Sequence, residues 1–389
     1  MGACPQRGPG SSLLPLNHDS SRTRLYTDFC EEAEENRCKQ IKLLRKGELF
    51  MKAIALYRYL PIEDPESLLD IEIEKPVPGG RDLLVNVKAI SVNPVDTKVR
   101  APKNQVETSP HILGWDVAGV VEQVGPDCTL FQLGDEVYYA GSINRPGGNS
   151  EFHLVDERIV GHKPRSLDFA QSAALPLTTL TAWEGLFDRL EVSQTASENQ
   201  GKSIVIIGAA GGVGSIATQL AKRAGLVVIG TASRPESAQW AQEHGTSHII
   251  NHHQAFAPQL KQIGFKTVDY IFCLNSTDKQ WDNMVEVIAP QGKICSIVEA
   301  HGPLNLSALQ RKSATFAWEW MYTRSVYQTP DMIEQHNILD RVAALVEAGE
   351  IHTTLTERLT PITAANLRLA HAKLESGSTI GKIVLENFT

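Results

Sequence analysis

A glycine-rich turn between an apolar run and a helical segment is the feature that most limits what this chain can fold into. The run Ile204–Ile207 reads as a strand buried on both faces, and Ser215–Ala224 has the spacing of an amphipathic helix. A second apolar strand, Leu226–Gly230, follows directly and completes a βαβ unit of about thirty residues. The unit predicts an α/β protein with a doubly wound parallel sheet.

The turn itself matches a dinucleotide-binding fingerprint in variant form. It reads Ala209-x-Gly211-x-x-Gly214, so an alanine replaces the first glycine of the G-x-G-x-x-G pattern. Small residues let a pyrophosphate approach the backbone closely, and the following helix offers free amides and a positive dipole end. The predicted contacts are the backbone groups of Ala210, Gly211, Gly212, Val213 and Gly214. The alternative is a tight turn that binds no ligand.

The end of the second strand selects the cofactor. An NAD site carries Asp or Glu here, which accepts a hydrogen bond from the ribose 2′-hydroxyl. Ser233 holds that position instead, and Arg234 follows it. A carboxylate would repel a 2′-phosphate, whereas a hydroxyl and a guanidinium would bind one. The sequence therefore favours NADPH over NADH, unless Arg234 only faces solvent.

Strands and helical segments alternate after the glycine-rich turn. The predicted strands are Ile204–Ile207, Val227–Thr231, His248–Ile250, Tyr270–Leu274 and Ile294–Val298. Ligands of open parallel sheets bind at the carboxyl ends of the strands. The residues expected at those ends, in backbone contact with the cofactor, are Leu274, Asn275, Ile297 and Val298.

Short strands and turns dominate the region before the glycine-rich turn. Predicted strands at Asp82–Ile90, Val117–Val124 and Glu136–Tyr139 indicate a β-rich catalytic domain over residues 51–175. The nucleotide-binding domain is expected over residues 176–325. Residues 326–389 hold two helical patterns and a last strand, and are expected to return to the first domain.

Two alternating patterns concern individual side chains. His153 alternates with Phe152 and Leu154, which predicts that His153 points to solvent. A second alternation predicts a strand whose rings could wall a substrate pocket, fill a core or form a dimer interface. Its members are Phe316, Trp318, Trp320 and Tyr322.

Composition and charge exclude several classes of function. The 389 residues carry a net charge of −8 without a basic stripe, which argues against nucleic acid as a partner, and no apolar run reaches the length of a membrane span. Six scattered cysteines without a C-x-x-C pair favour a reducing compartment, so a cytoplasmic location is expected. Residues 1–50 are expected to be a disordered extension, or to precede the true start at Met51; an organellar transit peptide is the alternative.

Five motifs occur in one order along the chain. They are Asn93-Pro94-Val95-Asp96-Thr97-Lys98, Gly114-Trp115-Asp116-Val117-Ala118-Gly119, Gly134-Asp135-Glu136-Val137-Tyr138, Leu175-Pro176-Leu177-Thr178-Thr179-Leu180-Thr181-Ala182 and the turn Ala209–Gly214. Through them the chain from Met51 onward resembles the medium-chain dehydrogenase/reductase superfamily. Within it, the chain is most similar to the quinone oxidoreductase (zeta-crystallin-like) branch of the zinc-containing alcohol dehydrogenase family. The resemblance implies a GroES-like β-barrel catalytic domain, a Rossmann domain, an active site between them, and a homodimer or homotetramer.

The zinc ligands of that family are missing from the matching positions. A zinc alcohol dehydrogenase has Cys where this chain has Asn93, His near Trp115, and a further Cys in the stretch that matches Leu175–Leu177. None of these side chains supplies a thiolate or an imidazole. The segment Ala140–Ser150 also lacks the four cysteines of a structural zinc loop. No zinc is expected, and a zinc-dependent alcohol dehydrogenase is kept as the alternative.

Without a metal to acidify an alcohol, the expected chemistry is reduction of a quinone or an α,β-unsaturated carbonyl compound. The resemblance places Asn93 near the nicotinamide, where its amide could donate to a substrate carbonyl. It places Thr178 where the hydroxyl could bind the carboxamide or a ribose. Asn93 could equally be a turn residue, and Thr178 a helix-start residue. An NADPH-binding protein without catalysis is the third possibility. The proton donor is left open among Tyr57, Tyr138 and Tyr139.

Overall fold

The computed structural model of this protein describes residues 49–388, and the expectations for residues 1–48 lie outside the described residues. The strands of the β-rich region are β1 (Phe50–Tyr59), β2 (Leu69–Glu74), β3 (Asp82–Ser91), β4 (Lys103–Ile112), β5 (Val117–Val124), β6 (Glu136–Tyr139), β7 (Phe152–Asp156) and β8 (Val160–His162). Those that follow are β9 (Ser203–Ile207), β10 (Val227–Thr231), β11 (His248–Ile250), β12 (Val268–Cys273), β13 (Ile288–Ser296), β14 (Thr315–Trp318), β15 (Leu355–Leu359) and β16 (Lys382–Glu386).

Helices alternate with strands after β9 and are fewer before it. Their bounds are Pro94–Arg100, Phe169–Ala173, Pro176–Trp183, Gly212–Arg223, Pro235–Glu243, Phe256–Gln262, Thr277–Val287, Thr323–Tyr327, Glu334–Glu347 and Ala364–Glu375. Within residues 49–388, none of the helices combines the length and the apolar character needed to cross a membrane.

The larger antiparallel sheet is built around β3, which has hydrogen-bonded neighbours on both of its edges. The sheet runs in the order β15-β16-β3-β5-β6-β8, and β7 also pairs with β3. The pairs of β3 with β5, β7 and β16 are all antiparallel. A smaller sheet, β2-β1-β4, lies beside it.

A six-stranded parallel sheet forms around the strand that precedes the glycine-rich turn. Its order is β11-β10-β9-β12-β13-β14, so the chain runs outward from β9 in one direction and then in the other. All residues of the central strand β9 are buried, because helices cover both faces of a doubly wound sheet. The predicted fold class is confirmed.

The last strand within residues 49–388 joins the larger antiparallel sheet. β16 pairs antiparallel with β3, with Val384 opposite Ser91. Just before it, the backbone N–H of Gly381 donates to the carbonyl of Ala210 at 2.9 Å. The segment around β16 is thereby hydrogen-bonded both to this sheet and to the glycine-rich turn.

Two predicted strands end at least two residues earlier than expected. The strand predicted at Ile294–Val298 runs from Ile288 and stops at Ser296, so Ile297 and Val298 lie in the loop beyond it. The aromatic strand stops at Trp318. After it the chain turns into the core, where Tyr322 is buried, while Trp320 is exposed.

The predicted exposure of His153 is wrong. β7 does alternate, but its register places His153 opposite Val85 of β3, so His153 and Val155 face the core. The imidazole hydrogen-bonds through Nδ1 with the Tyr139 hydroxyl (3.0 Å) and through Nε2 with the Pro146 carbonyl (2.9 Å). These two bonds satisfy both ring nitrogens and make burial possible.

Candidate functional site

The glycine-rich turn, residues 208–214, is here called the phosphate turn. Gly208 turns the backbone at a φ of +87°, and its N–H donates to Thr231 Oγ1 at 3.0 Å. The helix begins at Gly212, earlier than the sequence pattern indicated, with Gly211 as its N-cap. The amides of Gly212, Val213 and Gly214 occupy its first turn, where helix geometry gives an N–H no acceptor. They can therefore serve an anion.

The glycines of the phosphate turn have different roles. A Cβ on Gly214 would lie 2.2 Å from the Gly208 carbonyl oxygen, so this glycine permits the turn and the helix to pack. A Cβ on Gly211 would meet only that same oxygen, at 3.5 Å. The space next to Gly211 is therefore open within the protein, as the approach of a pyrophosphate requires.

Ser233 and Arg234 lie at the end of β10 and are both exposed. The Arg234 guanidinium donates from Nη2 to the Ser378 carbonyl at 2.6 Å. It is therefore held against the segment that leads into β16, rather than extended freely into solvent. An oriented, exposed guanidinium beside a hydroxyl is suited to a phosphate monoester.

Leu274 and Asn275 follow β12 and stand beside the phosphate turn. A Cβ on Gly208 would lie 3.7 Å from Asn275 Cβ and 3.8 Å from Leu274 Cβ. Ile297 is also close to this edge, since its N–H donates to the Cys273 carbonyl at 3.2 Å. The Val298 carbonyl accepts from Thr277 Oγ1 at 2.5 Å. The structure thus gathers these residues at the carboxyl edge of the parallel sheet.

Asn93, Asp96, Asp116 and Lys382 form what is here called the buried polar cluster. Asn93 caps the helix Pro94–Arg100 after β3, Asp116 precedes β5, and Lys382 opens β16. Lys382 Nζ donates to Asp116 Oδ2 (2.8 Å), to the Val92 carbonyl (2.9 Å) and to Asn93 Oδ1. All of these side chains are buried.

These contacts fix the orientation of the Asn93 amide. Its oxygen accepts from Lys382, and its Nδ2 donates one hydrogen to Asp116 Oδ2 at 2.8 Å. The second oxygen of Asp116 accepts from the Leu177 backbone N–H at 2.7 Å, which ties the cluster to the helix Pro176–Trp183. Burial raises the pKa of Asp116, although Lys382 opposes that shift.

Asp96 caps the helix that follows Asn93. Oδ2 accepts from the backbone N–H of Asn93 at 2.6 Å, so the carboxyl group closes the first turn of the helix. Burial raises its pKa to about 7, against a lowering by the Asn93 amide and by Lys382. An acid that titrates near neutrality beside Asn93 was not anticipated from the sequence.

Thr178 lies between the buried polar cluster and the phosphate turn. A Cβ on Gly212 would lie 2.8 Å from Lys382 Cδ and 3.0 Å from Thr178 Cγ2. The Thr178 hydroxyl donates to the Leu175 carbonyl at 2.9 Å, and its oxygen can still accept a hydrogen bond. The structure therefore brings Asn93, Thr178 and the phosphate turn into one region.

Sequence reasoning missed Lys382 and the role of Asp116. Asp116 sits inside the Gly114–Gly119 motif, which was a local signal for it. Lys382 lies 266 residues away in sequence from its ion-pair partner, and no local pattern marks it. Of the tyrosines considered as proton donors, Tyr138 donates to the Leu339 carbonyl and Tyr139 is bonded to His153.

The positions that match zinc ligands carry other chemistry. Asn93 is engaged with Asp116 and Lys382, and Trp115 donates its indole N–H to the Ser142 carbonyl at 3.3 Å. Leu175–Leu177 has only apolar side chains. An amide, an indole and hydrocarbon do not make the thiolate and imidazole set that zinc takes. Residues 49–388 contain no group of three metal-ligating side chains.

Comparison with known proteins identifies related chains. The alcohol dehydrogenase GroES-like domain matches residues 79–165, and the zinc-binding dehydrogenase family matches residues 244–385. A zinc-type alcohol dehydrogenase-like protein of Staphylococcus aureus (strain MSSA476) is 44% identical over 335 residues, which cover 86% of this chain and 99% of the relative. A quinone oxidoreductase of Pseudomonas aeruginosa is 32% identical over 331 residues, 82% of this chain and 96% of the relative.

One solved structure extends the comparison to three dimensions. It is a Rhizobium etli CFN 42 protein provisionally described as a zinc-dependent alcohol dehydrogenase. The two are 49% identical and superpose with a TM-score of 0.83, over 88% of this chain and 99% of the other.

Proposed function

Because the chain belongs to the medium-chain dehydrogenase/reductase superfamily, as a zinc-type alcohol dehydrogenase-like oxidoreductase, we propose that it reduces quinones or α,β-unsaturated carbonyl compounds with NADPH and without zinc. One observation carries the proposal. The phosphate turn leads directly to a buried polar cluster that offers an amide and carboxyl groups, and the positions of the zinc ligands hold none of zinc's usual donors.

The residues toward the nucleotide fit NADPH. The first-turn amides of Gly212, Val213 and Gly214 would hold the pyrophosphate, with the open side of Gly211 giving it room. Ser233 and Arg234 would bind the 2′-phosphate, and Leu274, Asn275, Ile297 and Val298 would line the sheet edge. When bound, NADPH would supply hydride to an electron-poor carbon of the substrate.

The protein's own part is to polarise the acceptor. Asn93 has one amide hydrogen engaged by Asp116 and a second that could be donated to a substrate carbonyl oxygen. Thr178 could accept a hydrogen bond from the nicotinamide carboxamide, since its hydroxyl oxygen has a free lone pair. Neither role needs a metal.

The test is steady-state oxidation of NADPH with a panel of quinones and α,β-unsaturated ketones. We expect turnover of at least one class, with no loss after dialysis against a chelator. Turnover of none of them by a protein that still binds NADPH would end the proposal in favour of a non-catalytic nucleotide-binding protein. Stoichiometric zinc in the purified protein, with chelator-sensitive oxidation of alcohols, would favour the zinc-dependent alternative.

We also propose a cytoplasmic homodimer or homotetramer, in keeping with the free thiols of Cys128, Cys273 and Cys295. The edge strand β14 carries Trp318, and Trp320 follows it; both indoles are exposed. An edge strand with exposed rings is suited to contact a second copy. Light scattering of W318E/W320E should give a smaller mass than the parent protein; an unchanged mass would place the contact elsewhere.

A further inference from the structure

Two buried polar atoms next to Asn93 lack a hydrogen-bond partner within residues 49–388. They are Oδ1 of Asp96 and the hydroxyl of Tyr322. The exposed fraction is 1% for Asp96 and 2% for Tyr322. Protein interiors hold few unpaired polar groups, because each one loses its hydrogen bonds to water without replacement. Each of these two atoms can therefore take a hydrogen-bond partner that the chain does not supply.

Asp96 and Tyr322 reach this region from opposite halves of the chain. Asp96 is anchored through Oδ2 by the backbone N–H of Asn93, while Oδ1 lacks a hydrogen-bond partner. The backbone N–H of Gly114 also lies close enough to lower the pKa of this carboxyl group. The Tyr322 ring packs edge-on against the Trp115 ring, with centroids 6.3 Å apart. Burial raises the pKa of Tyr322, and the charges of Asp96 and Asp116 raise it further, so both carboxyl groups lie near the phenol.

Both unpaired atoms can be donors. With a pKa of about 7, Asp96 carries a proton on a substantial share of molecules at neutral pH. Oδ2 is engaged as an acceptor, so the proton belongs on Oδ1. Tyr322 stays a neutral phenol, because its pKa lies well above the ordinary value.

We propose that Asp96 and Tyr322 bind the carbonyl oxygen of the substrate between two O–H donors, and that Asp96 gives that oxygen its proton. The assignment rests on the proposed function and names an α,β-unsaturated ketone as the substrate class. A carboxylic acid kept neutral beside a tyrosine is an effective donor pair for an oxygen that gains negative charge. Burial excludes bulk water, which would otherwise compete for both hydroxyls.

The step balances as a conjugate reduction. Hydride forms a C–H bond at the β-carbon, and the electron pair of the C=C bond moves toward the carbonyl oxygen while NADPH is oxidised to NADP⁺. The O–H bond of Asp96 breaks, and its proton passes to that oxygen to give an enol, which tautomerises to the saturated ketone. Asp96 is left as a carboxylate and takes its next proton from solvent.

The exposed side chain in contact with Tyr322 is Trp320. Its indole is 44% exposed and packs edge-on against the Tyr322 ring, with ring centroids 5.7 Å apart.

Lys382, Asp116 and Tyr322 face Asp96 from the neighbouring segments. Lys382 lowers the pKa of Asp96 and Asp116 raises it. Burial also raises the pKa of Asp116, so the D96N variant is needed to assign a fall of kcat with pH to Asp96. At the far end of the same helix, Arg100 is paired with Glu375. The helix packed on that end also contributes His371, whose pKa burial lowers to about 3, so that it stays neutral.

Binding of an oxyanion analogue gives a test that does not depend on turnover. We would titrate p-nitrophenol into protein saturated with NADP⁺ and follow its absorbance. Y322F should bind it at least about tenfold more weakly than the parent, since one donor is lost. Y138F is the matched control, because the Tyr138 hydroxyl donates to the Leu339 carbonyl instead, and it should bind as the parent does. Equal affinity of Y322F and the parent, or no binding by the parent, would overturn the proposal.

Kinetics with cyclohex-2-en-1-one test the proton. Y322F should lower kcat by about 100-fold while NADPH binding, followed by fluorescence, stays unchanged. Parent kcat should fall as pH rises through about 7, because the acid form of Asp96 is the active one. D96N should have a low kcat that does not fall as pH rises through about 7. The same fall of kcat in D96N as in the parent would overturn the role of Asp96. If the parent protein reduces no quinone or enone, the proposed function is refuted. The p-nitrophenol titration still decides whether Asp96 and Tyr322 bind a substrate oxygen atom.

Discussion

The phosphate turn and the buried polar cluster lie side by side but are built in opposite ways. The turn is one continuous stretch, residues 208–214, and it presents backbone amides to an open space. The cluster brings together buried side chains from three distant segments. Asn93, Asp116 and Lys382 are hydrogen-bonded to one another, and Asp96 accepts from the backbone N–H of Asn93. A site made of backbone depends on the absence of side chains, whereas a network of buried charges depends on every member being present.

The largest effect should follow from removing the lysine of the cluster. K382M leaves the buried carboxylate of Asp116 without its cation, and it leaves Asn93 Oδ1 without the N–H donor of Lys382. We expect a loss of about 3–5 kcal/mol in the free energy of unfolding, the usual result of breaking a buried ion pair from one side. Urea unfolding measures it. K98M, on an exposed lysine of the adjacent helix, is the control and should change stability by less than about 0.5 kcal/mol.

A loss below about 1 kcal/mol in K382M would mean that the cluster does not behave as a network. The double variant K382M/D116N sharpens the point. It removes both charges, so it should be more stable than K382M alone.

A substitution at Gly211 of the phosphate turn should weaken nucleotide binding without lowering the thermal stability of the protein. G211V places a side chain in the open space, and we expect affinity for both NADPH and NADH to fall by at least about 100-fold, or about 2.7 kcal/mol, with Tm unchanged. G214A is the contrasting variant, because its Cβ would lie 2.2 Å from the Gly208 carbonyl oxygen and should lower Tm. Fluorescence titration and thermal unfolding separate the two; intact nucleotide binding in G211V would remove the turn from the site.

The choice of nucleotide should depend on one exposed guanidinium. R234A should weaken the binding of NADPH by roughly 10- to 100-fold, since a charged hydrogen bond contributes about 1.5–3 kcal/mol. The affinity for NADH should stay nearly unchanged. R223A, which loses only an exposed pair with Glu350, is the matched control. Equal losses for both nucleotides in R234A would show that Arg234 does not contact the 2′-phosphate.

The smallest effect is expected at an exposed ion pair that serves as a reference for the buried one. His162 pairs with Asp340 at 3.1 Å, and both side chains are partly exposed. The hydrogen bond to Asp340 raises the pKa of His162, so the stabilisation is complete at pH values below its unfolded pKa and disappears as pH rises through the folded one. D340N should cost less than about 1 kcal/mol at pH 6 and almost nothing at pH 8. An equal cost at both pH values would contradict the ionic origin.

Features that lie within one continuous stretch of sequence could be predicted, whereas features that depend on contacts between distant segments could not. The βαβ unit, the phosphate turn and the position of Ser233 and Arg234 were predictable, because strand, turn and helix signals lie within one continuous stretch. His153 was assigned to the wrong face because alternation gives the period of a strand but not which face its partners cover. The turn of the chain after Trp318 depends on packing of Tyr322 against Trp115, which no local pattern encodes.

Within the candidate site, the same limit explains what was missed. Asn93 and Thr178 were predicted as site residues from motifs through the family resemblance, whereas Lys382 becomes a partner of Asp116 only when β16 pairs with β3. The near-neutral pKa of Asp96 likewise arises from burial, a property of the assembled structure.

The hydrogen bond from Gly381 to Ala210 has a consequence for the order in which the protein is made. The residues that contact the phosphate turn and neutralise Asp116 follow every strand of the parallel sheet in the sequence. A nascent chain can therefore form its parallel sheet before Gly381 and Lys382 have been synthesised. The proposed nucleotide site becomes complete only when these residues join it, so a variant truncated before Gly381 should fail to retain nucleotide.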